Sequence, residues 1–273
     1  MIQVDDDGDV RVVTLDRPAR RNALTPEGLD QLQRAVVTAP TPVVHLHGAG
    51  DAFCAGADLE VVGEVAEAAE AAEVTGDTGG TEDAGVAADA AGGGPATDQA
   101  DDGNNDVERF VRRGQRVASA IEDADAIVVA GVDGPARGGG VELALACDVR
   151  VATPQATFAE PGVTFGLFGA WGGTVRLPEV VGLGDALDLS LSGRVVDAEE
   201  ALRMGLVSRI VDDPRTVADE LADNDELALR LVKERVRDRS PKEAQEDAEV
   251  AAFEELLAAR SAEIRTLGRR NRE

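Results

Sequence analysis

Residues 134–152, "GPARGGGVELALACDVRVA", decide how the chain is read. Three glycines (138–140) lead into a stretch of helical character that is almost wholly apolar. One carboxylate, Glu142, stands in its first turn among Val141, Leu143, Leu145 and Cys147. A helix that is apolar on every side belongs in an interior. An interior carboxylate is costly unless something pairs with it or it takes up a proton. The glycines offer a reason for it. The first N–H groups of a helix have no partner inside the helix and carry the positive end of its dipole. Without side chains in the way, an oxyanion can approach them closely, which makes half of an oxyanion hole. The other half needs a second tight loop, and "FCAGAD" (53–58) is the candidate.

Other uses of glycine fit less well. A dinucleotide loop needs G-x-G-x-x-G after a strand. Counting from Gly131, this chain has G-x-x-G-x-x-x-G-G-G, and no phosphate loop of the type G-x-x-x-x-G-K-[ST] occurs.

The 273 residues carry 53 acids against 27 bases, a net charge of −26, and 43% are hydrophobic. Only Lys233 and Lys242 among the bases are lysine. There is no tyrosine, and Trp171 is the single tryptophan. Unscreened, so many acids repel one another. At ~1 M salt the screening length is only ~3 Å and the repulsion vanishes. This composition predicts a halophilic cytoplasm, and the charge argues against nucleic acid as a partner. Cys54 and Cys147 are too few and too far apart for a disulfide framework. The N-terminus lacks a leader pattern, and no apolar run reaches the ~20 residues of a membrane span. The expectation is a soluble cytoplasmic protein that does not engage membranes.

Along the chain, strands are expected at 10–15, 42–48, 126–132 and 149–152. A helix starts at Thr25-Pro26, where a cap precedes a first-turn proline, and runs to about Val37. Residues 64–106 are alanine, glycine and acid, and are read as a mobile insertion with a short helix at 64–74. A helix follows at about 107–122. Residues 156–182 are short strands and turns leading into a helix, and 194–211 read strand, helix, strand. The remainder is helical and ends in a long helix, 241–268.

Five motifs now converge: "LDRPARRNAL" (15–24), "AFCAGADL" (52–59), the 134–152 stretch, "GGTVRLPEVVG" (172–182) and "SGRVVDAEEALRMGLVSRIV" (192–211). In this order they resemble the crotonase family, the enoyl-CoA hydratases and isomerases. The resemblance covers nearly the whole chain outside the insertion. It implies an α/β fold, a spiral of ββα turns over residues 1–196, with a mainly helical region at 197–273 that packs in trimers or dimers of trimers. It also implies acyl-CoA thioesters as substrates, with no separate cofactor and no metal. The oxyanion would rest on the N–H groups of Ala57 and Gly139, with Ala55, Gly56, Asp58 and Gly138 beside it. Glu142 would face the substrate, its carboxyl raised by apolar walls and ready for proton transfer.

One departure stands out. Hydratases of the family carry a second glutamate after a proline, and the matching position here, in "FAEPGVTFGLFGAWGG" (158–173), is Gly162. Glu160 lies two residues earlier and, in an extended segment, would face the same side. Either it substitutes for the missing carboxylate or it lies at the surface. Trp171 stands where the family has a small residue, and either shapes the acyl pocket or packs in the core. Arg20 and Arg21 are candidates for the coenzyme A phosphates, or ordinary surface charges. His45 and His47 alternate on one strand without a third ligand and are read as packed histidines. Cys54 is read as packing. A 2-enoyl-CoA hydratase is the simplest function. An isomerase, hydrolase or decarboxylase on the same scaffold, or a non-catalytic acyl-CoA-binding protein, are the alternatives.

Overall fold

The computed structural model of the chain describes residues 1–76 and 106–270. It opens with an antiparallel pair, β1 (Ile2–Asp7) and β2 (Val10–Leu15). The sequence predicts only β2. β1 carries three consecutive aspartates and buries little, so its sequence looks like a loop; all six of its residues nevertheless pair with β2. Next come α1 (Pro26–Val37), β3 (Val43–Gly48), α2 (Leu59–Gly76) and α3 (Asp106–Glu122). The Thr25 hydroxyl caps α1 by accepting the Gly28 N–H at 3.2 Å. Then follow β4 (Ile127–Val132), β5 (Pro135–Arg137), α4 (Gly139–Ala146), β6 (Val149–Ala152) and β7 (Thr157–Ala159). After a 3-10 turn at Pro161–Phe165 the chain forms α5 (Gly173–Ser192), β8 (Val196–Asp197), α6 (Ala198–Met204) and β9 (Arg209–Ile210). Three helices close it: α7 (Arg215–Ala222), α8 (Glu226–Arg237) and α9 (Lys242–Arg270).

The strands form a six-stranded sheet, β1-β2-β3-β4-β6-β9, and a three-stranded sheet, β5-β7-β8. From β2 to β9 the neighbours in the larger sheet run parallel. Parallel neighbours require a crossover; the one from β2 to β3 runs through α1, and from β3 onward each crossover includes a contact with the smaller sheet. The chain runs β4, β5, α4, then β6, β7, α5. The turn before these does the same with β3, a bridge from Cys54 to Ala136, and the following helices. This is the spiral of ββα turns. β4 is buried on both faces, as a central parallel strand should be. One face of the large sheet packs into the main core with α1, α3 and α4. The other packs Val10, Val43, Val129 and Val151 against Val217 and Ala218 of α7.

Two details differ from expectation, the start of α2 and the place of β9. The helix foreseen over 64–74 extends further at both ends, because Asp58 starts it: its carboxylate accepts the Glu60 N–H and its carbonyl the Val62 N–H. The rest of the insertion, residues 77–105, lies outside the described residues. Within α5 two helical segments meet at Gly182, whose φ of +79° and ψ of 159° are not helical. The C-terminal region also returns to the spiral, since β9 extends the large sheet beside β6. Among the described residues no helix is long and apolar enough to cross a membrane.

Candidate active site

All eight residues of α4 are buried, and Glu142 exposes only 1% of its surface. Its carboxylate does not go unpaired. Oε1 accepts the backbone N–H groups of Trp171 and Gly173, each at 2.7 Å. Those groups belong to the turn that opens α5, so the carboxylate sits at the positive end of that helix. Burial pushes the Glu142 carboxyl above its ordinary range, and the two N–H groups and the Arg176 charge pull against it.

Glu160 is another buried carboxylate, 8% exposed, placed between β7 and the 3-10 turn. The surface alternative for this residue is therefore excluded. Its Oε1 has no hydrogen-bond partner among the described residues. Burial first, and then the charge of Glu142, push its carboxyl up to about 8. Glu160 lines a small cavity of about 30 Å³ with Val163, Phe168, Gly169, Gly173 and Leu177. Gly169 and Gly173 are the residues against which the Glu142 carboxylate rests. Glu160 therefore lines the cavity, and the Glu142 carboxylate lies against two glycines of its wall.

Gly162 is closed off. A Cβ on it would stand 3.0 Å from the Leu167 carbonyl oxygen and 3.0 Å from the Phe168 Cα. The Leu167 N–H donates to the Gly162 carbonyl at 2.9 Å and holds that loop shut. A side chain at position 162 would crowd the Leu167–Phe168 backbone, which would have to give way to take it, whereas Glu160 is already buried in the interior.

The two glycine loops meet. Gly56, with φ +86°, faces the Arg137 carbonyl and the Gly139 nitrogen so closely that a Cβ would stand 2.7 and 2.9 Å from them. Only glycine fits such an approach. The loops are tied by Arg137 N–H to the Cys54 carbonyl (2.9 Å), Leu24 N–H to that of Gly56 (2.8 Å) and Ala55 N–H to that of Arg21 (2.9 Å). The N–H groups of Ala57 and Gly139 make no hydrogen bond among the described residues. Gly138, at φ +48°, directs the chain from β5 into α4.

The remaining candidates fall into place around this centre. Trp171 is a core side chain: its ring packs against Gly139 and Gly114 and lies 6.0 Å from the Phe110 ring. Asp58 turns its carboxylate onto Arg17. Burial raises that carboxyl, but the Arg17 bond, the Glu60 N–H and the Arg17 and Arg20 charges outweigh it and hold it low. Arg20 pairs with Glu60 at 2.6 Å on the surface. Arg21 is exposed in a left-handed backbone position, close enough for its charge to bear on Arg137. Cys54 is buried, its thiol pushed up to about 12 by burial. Cys147 is likewise a buried free thiol. His45 and His47 stack with centroids 5.2 Å apart, and His47 Nε2 bonds the Thr14 hydroxyl at 2.9 Å. No group of three His, Cys, Asp or Glu among the described residues is placed to hold a metal.

Sequence reading passed over two residues. Asn22 is buried and its Nδ2 donates to the carbonyls of Ala49, Ala52 and Phe53 at 2.9, 2.7 and 3.2 Å, pinning the chain into the first glycine loop. Its signal was its place beside two arginines in the 15–24 motif. Arg176 carries the other hidden role, through contacts no local pattern announces.

The family model for enoyl-CoA hydratase/isomerase matches residues 90–268. The chain belongs to the enoyl-CoA hydratase/isomerase family. It is 32% identical over 233 residues to a crotonyl-CoA hydratase of Syntrophomonas wolfei, spanning 81% of this chain and 75% of that protein. It is 29% identical over 243 residues to a short-chain-enoyl-CoA hydratase of Clostridium acetobutylicum, spanning 84% and 78%. Its fold matches a putative enoyl-CoA hydratase of Thermobifida fusca solved in complex with CoA, with a TM-score of 0.74 and 26% identity over 95% of this chain and 94% of that one. The enoyl-CoA hydratase of Thermoplasma volcanium gives 0.75 and 27% over 98% and 96%. The crotonase spiral and family membership expected from the five motifs are borne out.

Proposed function

We propose that this member of the enoyl-CoA hydratase/isomerase family is a 2-enoyl-CoA hydratase. The observation that carries the reading is a pair of buried, mutually repelling carboxylates: Glu160 lines the cavity, and Glu142 rests against Gly169 and Gly173 of its wall. In this reading the thioester oxygen rests between the N–H groups of Ala57 and Gly139, which have no internal partner. Glu142, held by its two N–H donors, takes a proton from water as the water oxygen bonds C3 of the enoyl group. The electron pair of the C2=C3 bond moves toward the thioester, and the two N–H groups hold the resulting oxyanion. Glu160, protonated near neutral pH, gives its proton to C2. Return of the proton from Glu142 to Glu160 restores the site, and the net change is addition of one water. Glu160 would do here what the family's second glutamate does from the position of Gly162.

Coenzyme A enters only as part of the substrate, with no separate cofactor. The CoA complex of the Thermobifida relative supports CoA binding, and Arg20 and Arg21 beside the first glycine loop would meet its phosphates. Ala55, Gly56 and Gly138 shape the thioester end, Asp58 braces the loop from behind, and Trp171 walls the Gly139 side. A homotrimer is supported by the exposed apolar side chains of Val232 and Val236 on α8 and Val250 and Phe253 on α9, which line one open groove of about 650 Å³. A salty cytoplasm is the compartment the charge favours. The second reading, an isomerase or hydrolase needing one carboxylate, is favoured by Gly162.

The test is crotonyl-CoA hydration in molar KCl. Glu142→Gln should lower the rate by ~10²–10⁴, the usual worth of a proton-transfer group. An unchanged rate would remove Glu142 from the reaction.

A further inference from the structure

The turn that holds Glu142 is itself held. Arg176, one turn into α5, donates from Nη1 to the Trp171 carbonyl at 3.2 Å, and its guanidinium packs on the Cα of Gly172. It therefore grips the Trp171–Gly173 turn by a carbonyl while Glu142 takes two of the turn's N–H groups. Its Nη2 pairs with Glu122 at the end of α3. Glu122 also pairs with Arg237 of α8 at 3.3 Å; Arg237 pairs with Asp148 at 2.8 Å, and Asp148 with Lys233 at 2.9 Å. A chain of largely buried charges thus runs from the carboxylate's anchor to α8.

We propose that Arg176 is the positioning residue for Glu142, fixing the turn whose N–H groups hold the carboxylate, and that Glu122 sets how strongly Arg176 acts. The proposal rests on the reading of Glu142 as the base. A salt bridge kept only for stability would leave Glu142 untouched. A positioning residue acts on its titration, since an opposite charge nearby favours the ionised carboxylate. The ionisable groups that face Glu142 are Glu160, from the segment after β7, and Arg176, from α5; Glu122 of α3 reaches it through Arg176.

The test reads Glu142 directly. Infrared pH titrations of each protein, minus the same protein carrying Glu142→Gln, give the midpoint at which the Glu142 carboxyl ionises. Arg176→Gln should raise that midpoint by about one pH unit or more, and Arg176→Lys, which keeps the charge, should recover most of the change. Glu122→Gln should lower it, because Arg176 then bears on Glu142 unopposed. In the hydration assay the acid limb of kcat should move in the same directions, with KM little changed. Displaced midpoints in a protein that does not hydrate crotonyl-CoA would sink the hydratase reading and leave the positioning role standing. Identical midpoints in wild type and Glu122→Gln would overturn the proposal, and this variant decides the matter if Arg176→Gln does not fold.

Discussion

Gly169 stands so close to Glu142 that a Cβ on it would lie 2.8 Å from Glu142 Cδ and 3.0 Å from each carboxylate oxygen. The carboxylate is wedged between this glycine and the N–H groups of Trp171 and Gly173, which leaves it one position. Gly169→Ala should therefore displace it. Overpacking a filled site costs ~1–3 kcal/mol, so thermal melts should show a folded but less stable protein. Crotonyl-CoA hydration should fall much further, by ~10-fold or more, since a displaced base loses its geometry. Full activity in the alanine variant would mean the reaction does not use the carboxylate where it sits.

Glu160 makes stability depend on pH. Its carboxyl is raised in the fold to about 8 from an ordinary value of 4.5. Between these values the unfolded chain ionises and the folded one does not, so the folded state loses ground as pH rises through this window and levels off above it. Across the window, each rise of one pH unit costs the fold up to ~1.4 kcal/mol. Glu160→Gln removes the dependence and should melt progressively higher than wild type from pH 5 to 8. The same variant should lose the proton donor, with hydration down by ~10²-fold. Parallel melting curves for the two proteins across the window would contradict this account.

Asn22 should prove important without touching substrate. Asn22→Ala leaves the carbonyls of Ala49, Ala52 and Phe53 without their donor. Buried groups left unpaired cost ~1–3 kcal/mol. Asn22→Asp should be worse, because it sets an acceptor against three acceptors. Denaturant melts measure the loss, and acyl-CoA binding should weaken alongside it as the Gly56 loop drifts from Gly139.

Salt gives a fourth prediction. With a net charge of −26, the subunits of the proposed homotrimer would repel strongly at ~0.01 M salt, where the screening length is ~30 Å, and hardly at all at molar salt. As KCl falls from molar to tens of millimolar, oligomer mass by light scattering and melting temperature should fall together, because association stabilises the fold. An assembly equally stable at both extremes would show that the acids only solvate the surface.

Much of this protein is local and could be read without coordinates. The apolar run around Glu142 and the glycines before it announce a buried helix whose N-terminus is open, and the Thr25-Pro26 pair starts α1 where a cap should. The order of the five motifs carries the resemblance to the crotonase family, and the spiral is what that resemblance implies. What lay out of reach was decided by partners far along the chain. Glu142 is held by N–H groups 29 and 31 residues away, which one turn of the spiral brings back beneath it. β1 is a strand only because β2 lies alongside, and β9 because β6 offers an open edge. Whether Glu160 faced solvent or the interior depended on how the Gly162–Phe168 loop closed, and a single extended dipeptide cannot say. Sequence determined which groups this protein has to work with and the local turns that expose them. Tertiary structure alone decided which of them come together, because burial and charge pairing come from packing between elements, and no local pattern encodes it.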